Sequence, residues 1–187
     1  MGEKPSDSEG DDLPVEKVSW KDAMAFCKKL TKRERQAGHL PEGYIYRLPT
    51  EAEWEYVMRG GHKSEERYKY SGSDNIDKVA WYGDNSSGHT HVVGQKQPNE
   101  LEIHDMSGNV YEWCYDWFDS GYYGDNSRED PVNISRASSR VIRGGSWINA
   151  AQYCRSANRH SWYPDYTHYY IGFRVVLAPE IPNDATE

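Results

Sequence analysis

The chain has 187 residues, with 22 Lys and Arg against 30 Asp and Glu, a formal net charge of −8 and a mean hydropathy of −0.97. Its length suits one domain with a sizeable core. The acidic balance argues against nucleic acid or an anionic membrane surface as partner, and no apolar run approaches the ~20 residues of a membrane-spanning helix. Seven Trp and fifteen Tyr beside little Leu, Ile or Val mark a loop-rich protein. Its core is expected to rest on rings that can be buried once their polar tips find partners.

Residues 1–12 are acidic and lack large apolar side chains, so a disordered lead-in is expected there, and no signal peptide is visible. One domain follows over 13–178, then an acidic tail over 179–187. Pro14-Val15 opens it as an extended piece. Ser19 and Asp22 make a capping pair. Ala23, Phe26, Cys27 and Leu30 then fall on one helical stripe. The basic run from Lys28 to Arg35 suits the carbonyl end of that helix and reads as a solvated face, and Gly38 stops it.

Tyr46-Arg47-Leu48-Pro49 precedes a second capping box, with Thr50 as cap and Glu53 reaching back. Trp54 and Val57 face the core, and Arg59-Gly60-Gly61 ends this helix. Capping and solvation account for Glu51, Glu53 and Glu55 without a catalytic role. His62 to Asn75 is loop, Val79 to Tyr82 restarts apolar sequence, and Asp84 to Gly88 is a turn cluster. His89 and His91 have ligand spacing, but zinc takes at least three protein ligands and no third stands near, so an exposed pair is expected. Gly121 to Ser139, with Tyr122-Tyr123-Gly124 and Asp125-Asn126-Ser127, is expected to be a long surface loop. Arg140 to Arg143 is a strand, and Val175 to Leu177 is the closing strand. Three cysteines leave at least one free thiol.

Gly144 to Arg174 interleaves two kinds of sequence. Framework motifs, Gly144-Gly145-Ser146-Trp147, Cys154 to Arg159 and Ile171 to Arg174, alternate with Ile148, Asn149, Ala150, Tyr153, His160, Ser161, Trp162, Tyr163, Tyr166, Thr167, His168, Tyr169 and Tyr170. The second set has neither helical nor strand period. Its Tyr, Ser and Asn are residues that binding surfaces use, Tyr as a rigid amphipathic contact and the others as adaptable hydrogen-bonding groups.

RGGSW, CRSANR and GFR, together with RLPTEAEWEYVMRGG and the DMSGNVYEW core, resemble the formylglycine-generating-enzyme family, a branch of the C-type lectin fold. The resemblance implies an α+β fold of two helices on small twisted antiparallel sheets with much irregular loop. Trp20, Trp54, Trp81, Trp113, Trp117, Trp147 and Phe173 would be its framework, and Arg143, Arg155, Arg159 and Arg174 would anchor loops. It also implies a short strand at Thr90 to Gly94 before the Pro98-Asn99 turn, proximity of Cys114 and Cys154, and calcium near Asn109 and Glu112 as the one candidate cofactor. Calcium needs six to eight oxygens, of which this segment supplies only some.

The family's enzymes carry two copper-binding cysteines directly after the Gly-Gly-Ser-aromatic motif. Residues 148–153 contain none and are too short for the insertion that bears them, so no catalytic residue carries over. The chain is also similar to the variable proteins of diversity-generating retroelements, those of Treponema in particular, which rewrite adenines in a C-terminal repeat. An Asn codon so rewritten yields Tyr, Ser, His, Asp, Thr, Ile or Ala, and the interleaved set over 148–170 obeys that limit except at Trp162. The implied function is non-catalytic binding of varied protein ligands on host or neighbouring cells, at a bacterial surface, without nucleic acid or membrane insertion. Two alternatives stand beside it. A metal-dependent oxidase or sulfoxide-synthase-type enzyme would need a copper dithiol or an iron-binding His set. A carbohydrate-binding lectin would need a sugar-binding calcium motif. None of these is visible.

Overall fold

A computed structural model describes residues 5–124 and 129–181; residues 1–4 of the expected lead-in, Asp125-Asn126-Ser127 of the expected surface loop and the tail from 182 onward lie outside the described residues. In chain order the elements are α1 (Trp20–Gln36), β1 (Tyr44–Arg47), α2 (Glu51–Met58), α3 (Ile76–Val79), β2 (Ala80–Trp81), β3 (Ser107–Gly108), β4 (Tyr111–Trp117), β5 (Arg140–Arg143), β6 (His160–Trp162), β7 (Ile171–Gly172) and β8 (Val176–Pro179).

Both main helices start at their capping boxes. The Ser19 hydroxyl accepts from Asp22 N at 3.1 Å and the Asp22 carboxylate accepts from Ser19 N at 3.0 Å; Thr50 and Glu53 repeat the exchange at 3.1 and 2.8 Å. The buried face of α1 is Trp20, Ala23, Cys27 and Thr31. Phe26 and Leu30 of the expected stripe stay half-buried. Trp20 shifts the stripe by burying its ring and donating its indole N–H to Cys114 O at 2.9 Å.

The central sheet has the order β6-β5-β4-β7, flanked by two-stranded β1-β8 and β2-β3. It is not wholly antiparallel as expected: β2 pairs with β3, and β4 with β7, in parallel. These contacts span only two residues each, a length at which pairing direction follows the loops rather than any sequence pattern. The short α3 is a further departure, nucleated by the Asn75 side chain accepting from Asp77 N at 3.0 Å. The architecture is α+β, with β4 nearly buried along its whole length.

Three further expectations give way. Residues 5–12 are tied to the domain rather than being a solvated lead-in: Ser8 N donates to the buried Glu16 carboxylate at 2.8 Å, and Val93 N to Asp12 O at 3.0 Å. Thr90 to Gly94 is not a strand. His91 N and O are matched by the Asn109 side chain at 3.1 and 3.0 Å, and Gly94 N by the Asp105 carboxylate at 2.7 Å, so side chains supply the partners that a neighbouring strand would. The closing strand is 176–179 and pairs with 44–47, and Ile181 is buried, so the domain extends past 178.

Gly108 sits at φ +77°, and a Cβ there would meet the Trp81 carbonyl oxygen. Gly108→Ala combines left-handed strain with a backbone clash across the parallel β2-β3 contact. The expected outcome is a loss of about 3 kcal/mol or more in urea-unfolding free energy, or failure to fold.

Candidate ligand-binding surface

The surface is built on β6, an edge strand, and on the loop that follows it. Arg140 pairs with Trp162, Val141 with Ser161 and Ile142 with His160. The loop backbone is then hung from the framework. Trp20 N donates to Pro164 O at 3.1 Å, Lys17 N to His168 O at 3.0 Å and Tyr111 N to Tyr170 O at 2.8 Å. Upstream, Gly83 N donates to Asn149 O at 2.8 Å, fixing the turn at 147–150.

With the backbone held, the side chains turn outward. Ile148, Ala150, Tyr153, Tyr163, Thr167 and Tyr169 are exposed. Asn149, His160, Ser161, Trp162, Tyr166, His168 and Tyr170 are half-buried, and none of the set is buried. Half of each ring in the second group goes into a ladder. His160 stacks on Trp162 at 6.0 Å, Trp162 on Tyr166 at 4.4 Å and Tyr166 on His168 at 5.7 Å, and His168 meets Tyr169 and Tyr170 at 4.0 and 3.9 Å. Trp162, Tyr166 and Tyr170 also pack on the main core cluster. Trp147, expected only as framework, joins the surface: its ring lies 5.6 Å from Tyr169 and its indole N–H donates to Tyr169 O. It links the 148–153 loop to the 160–170 loop, a juxtaposition without a signal in the sequence. Burial holds the His168 imidazole below its ordinary range and pushes the Tyr170 hydroxyl up to about 12, so both are neutral at physiological pH.

Beneath this surface lies an ion network that the expectation of solvated helix carboxylates missed. Glu51 is buried and accepts from Arg159 Nε and Nη2 at 2.7 Å each, with the fully buried Arg143 at 3.5 Å. Arg143 also binds Glu55, Ser156 O and Asn158 O. Arg174 grips Glu112 at 2.6 and 2.7 Å. Three of the four expected arginine anchors therefore hold loops. Arg155 lies exposed, and Arg47 takes an anchoring role instead, bidentate to Glu53 at 2.7 Å and bound to Pro179 O at 2.9 Å.

The metal candidates are engaged otherwise. Glu112 is taken up by Arg174 and by Trp54 Nε1 at 2.7 Å, and Asn109 by His91. These side chains do not present the oxygens a calcium ion needs. His91 is not exposed as expected but stacks on Trp81 at 3.8 Å and contacts Ser86 O at 2.8 Å. Among the described residues no group of three or more His, Cys, Asp or Glu is placed to hold a metal. Cys27, Cys114 and Cys154 are free and buried. Cys114 and Cys154 lie in separate core clusters rather than together. Burial pushes the Cys154 thiol up to about 12.

A family model described as the sulfatase-modifying factor enzyme 1-like domain matches residues 1–179. The chain belongs to this family. Treponema denticola variable protein 1 is similar in structure, with a TM-score of 0.83 and 32% identity, covering 94% of this chain and 77% of that one. PvdO from Pseudomonas aeruginosa gives a TM-score of 0.74 and 30% identity, covering 91% and 64%. In sequence, the chaperone protein LppX of Paenibacillus barcinonensis is 36% identical over 80% of this chain and 64% of its own length. The formylglycine-generating enzyme of Streptomyces coelicolor is 35% identical over 86% of this chain and 51% of its own. The chain thus spans between half and two thirds of these two curated relatives. The sulfatase-modifying-factor family contains enzymes, and it also takes in a fold shared with a variable protein. No helix among the described residues is long and apolar enough to cross a membrane.

Two outcomes follow from this geometry. Trp162→Ala removes a ring wedged between Tyr166 and the core and should cost about 2 kcal/mol of stability, whereas Tyr163→Ala, at 61% exposure, should stay within about 0.5 kcal/mol, both read by urea denaturation. The second concerns Asp116, whose carboxylate accepts from Glu51 N at 2.7 Å and Asn133 N at 2.8 Å. Burial pushes it up to about 6 despite those bonds. The folded state therefore binds this proton more tightly than the unfolded chain. The stability it contributes is fully present below the ordinary Asp range and is lost as pH rises through about 6. The penalty for Asp116→Asn should accordingly shrink, by up to roughly 3 kcal/mol, between pH 4 and pH 7.

Proposed function

We propose that the chain is a non-catalytic receptor that grips protein ligands through the 148–170 surface, and that retroelement mutagenesis diversifies that surface. The observation that carries this reading is the division of labour at the site. Framework residues hold the loop backbone, while the recognised side chains stand exposed or half-buried above it. Replacement of those side chains leaves the anchoring bonds in place. Tyr, His and Trp rings supply large contacts at low entropic cost. The likeness to Treponema denticola variable protein 1 supports the reading. So does Cys154, a lone buried thiol where the family's enzymes would need an accessible pair. Partners are varied proteins on host or neighbouring cells. The similarity to LppX supports a site of action outside the cytoplasm.

Sequencing sibling gene copies tests the diversification. Substitutions should fall on adenine-bearing codons within 148–170 and spare the framework; identical letters there would reject it. Binding is tested on an array of extracellular proteins. The Tyr163→Ala/Tyr169→Ala double variant should weaken capture of any partner by about 30-fold or more while its Tm stays within about 2 °C. Unchanged affinity would remove the surface from consideration.

A further inference from the structure

Away from the 148–170 surface, α1 and the β1-β8 ribbon enclose a groove of about 660 Å³. Met24, Cys27, Ile45, Tyr115 and Ile181 give it a mostly apolar floor, interrupted by Thr31 and Arg47. Along one rim stand Lys28, Lys32 and Arg35, spaced to fall on one face of α1. All three are exposed. Among the described residues none of them has a carboxylate within ion-pair reach. The neighbouring cations are engaged elsewhere, Arg33 with Glu34 and Arg47 with Glu53. In a chain of net charge −8, a row of cations without ion-pair partners, of which Arg35 donates to Tyr44 O at 3.4 Å, is a local inversion of the protein's field. The groove wall at the end of β8 already sets an acid beside an aliphatic side chain. Where β8 ends, Glu180 lines the groove and Ile181 sinks into its floor, 8% exposed and part of the main core cluster.

We propose that this groove docks an acidic segment of a partner protein, one whose aliphatic side chains enter the floor while its carboxylates meet Lys28, Lys32 and Arg35. Charge complementarity selects an acidic partner. The apolar floor selects a segment with aliphatic anchors over free phosphate or nucleic acid. The concave shape selects an extended peptide over a lipid surface, which needs its cations presented on a convex face. The groove lies outside the 148–170 positions, so it offers a constant docking point beside a varying one.

The probe is a fluorescein-labelled peptide, Glu-Ile-Asp-Leu-Glu-Ile-Asp, titrated with the full chain by anisotropy. Binding should saturate, weaken as salt rises, and lose at least about tenfold in affinity in Lys32→Glu/Arg35→Glu. Far-UV circular dichroism of that variant should match the parent. The Tyr163→Ala/Tyr169→Ala variant should bind the peptide unchanged, so the fate of this site is read independently of the 148–170 surface. Four results would overturn the proposal: no saturable binding, equal affinity in the charge-reversed variant, equal binding of a poly-glutamate peptide of the same length, or binding of phosphatidylserine vesicles in place of the peptide. A fifth is peptide binding only after truncation at Ile181, which would make the chain's own residues 182–187 the occupant.

Discussion

The Glu51 carboxylate is the point on which the 148–170 surface depends. It sits at the first turn of α2, is 1% exposed, and holds Arg159 through two bonds while facing Arg143. Arg159 immediately precedes β6, and Arg143 ends β5. One acid therefore joins a helix, a central strand and the chain leading into the site. Taking such charges out of water is costly, and their attraction compensates only when geometry and extra hydrogen bonds are complete. Here they are close to complete, since Arg143 also satisfies Ser156 O, Asn158 O and Glu55. The network fixes where the 155–159 segment runs. Its role is placement of the loop, more than net stabilisation.

A second polar device works from the other side of the sheet. Arg140 is sandwiched between the rings of Trp20 and Trp117, at 3.8 and 3.7 Å, and pairs in register with Trp162. This stack ties α1 to β4 and to β5, the strand on which β6 pairs. Buried arginine against tryptophan is strong because both faces of the guanidinium plane are desolvated over ring quadrupoles. The loop therefore has anchors of charge below and aromatic packing behind, and its exposed rings, Tyr163 and Tyr169, stand outside the core. Trp162 and Tyr166 are different, being shared between surface and core. A position of that kind tolerates fewer replacements than its exposed neighbours.

The lone thiol of the 148–154 segment is buried, and the Glu112 carboxylate is bound by Arg174 and Trp54. The histidines of the loop stack against rings, His160 on Trp162 and His168 on Tyr166. Those are the arrangements of groups that support a surface. The same fold serves enzymes among its relatives, which shows again that function resides in the site and not in the scaffold.

The sequence alone determined the helix starts, because Ser19/Asp22 and Thr50/Glu53 are local exchanges within one turn. It determined the family, through motifs of fixed spacing, and it marked the interleaved side chains of 148–170, because their composition departs from any burial period. Only the tertiary structure decided the rest. Glu51 reads as a solvated helix residue until Arg159, 108 positions away, closes on it. Trp147 reads as framework until Tyr169 arrives beside it. Thr90 to Gly94 reads as a strand until the Asn109 and Asp105 side chains take the place of a neighbour. Short-range hydrogen bonds are written in adjacent residues, whereas burial and pairing are set by whichever distant segment the folded chain brings near.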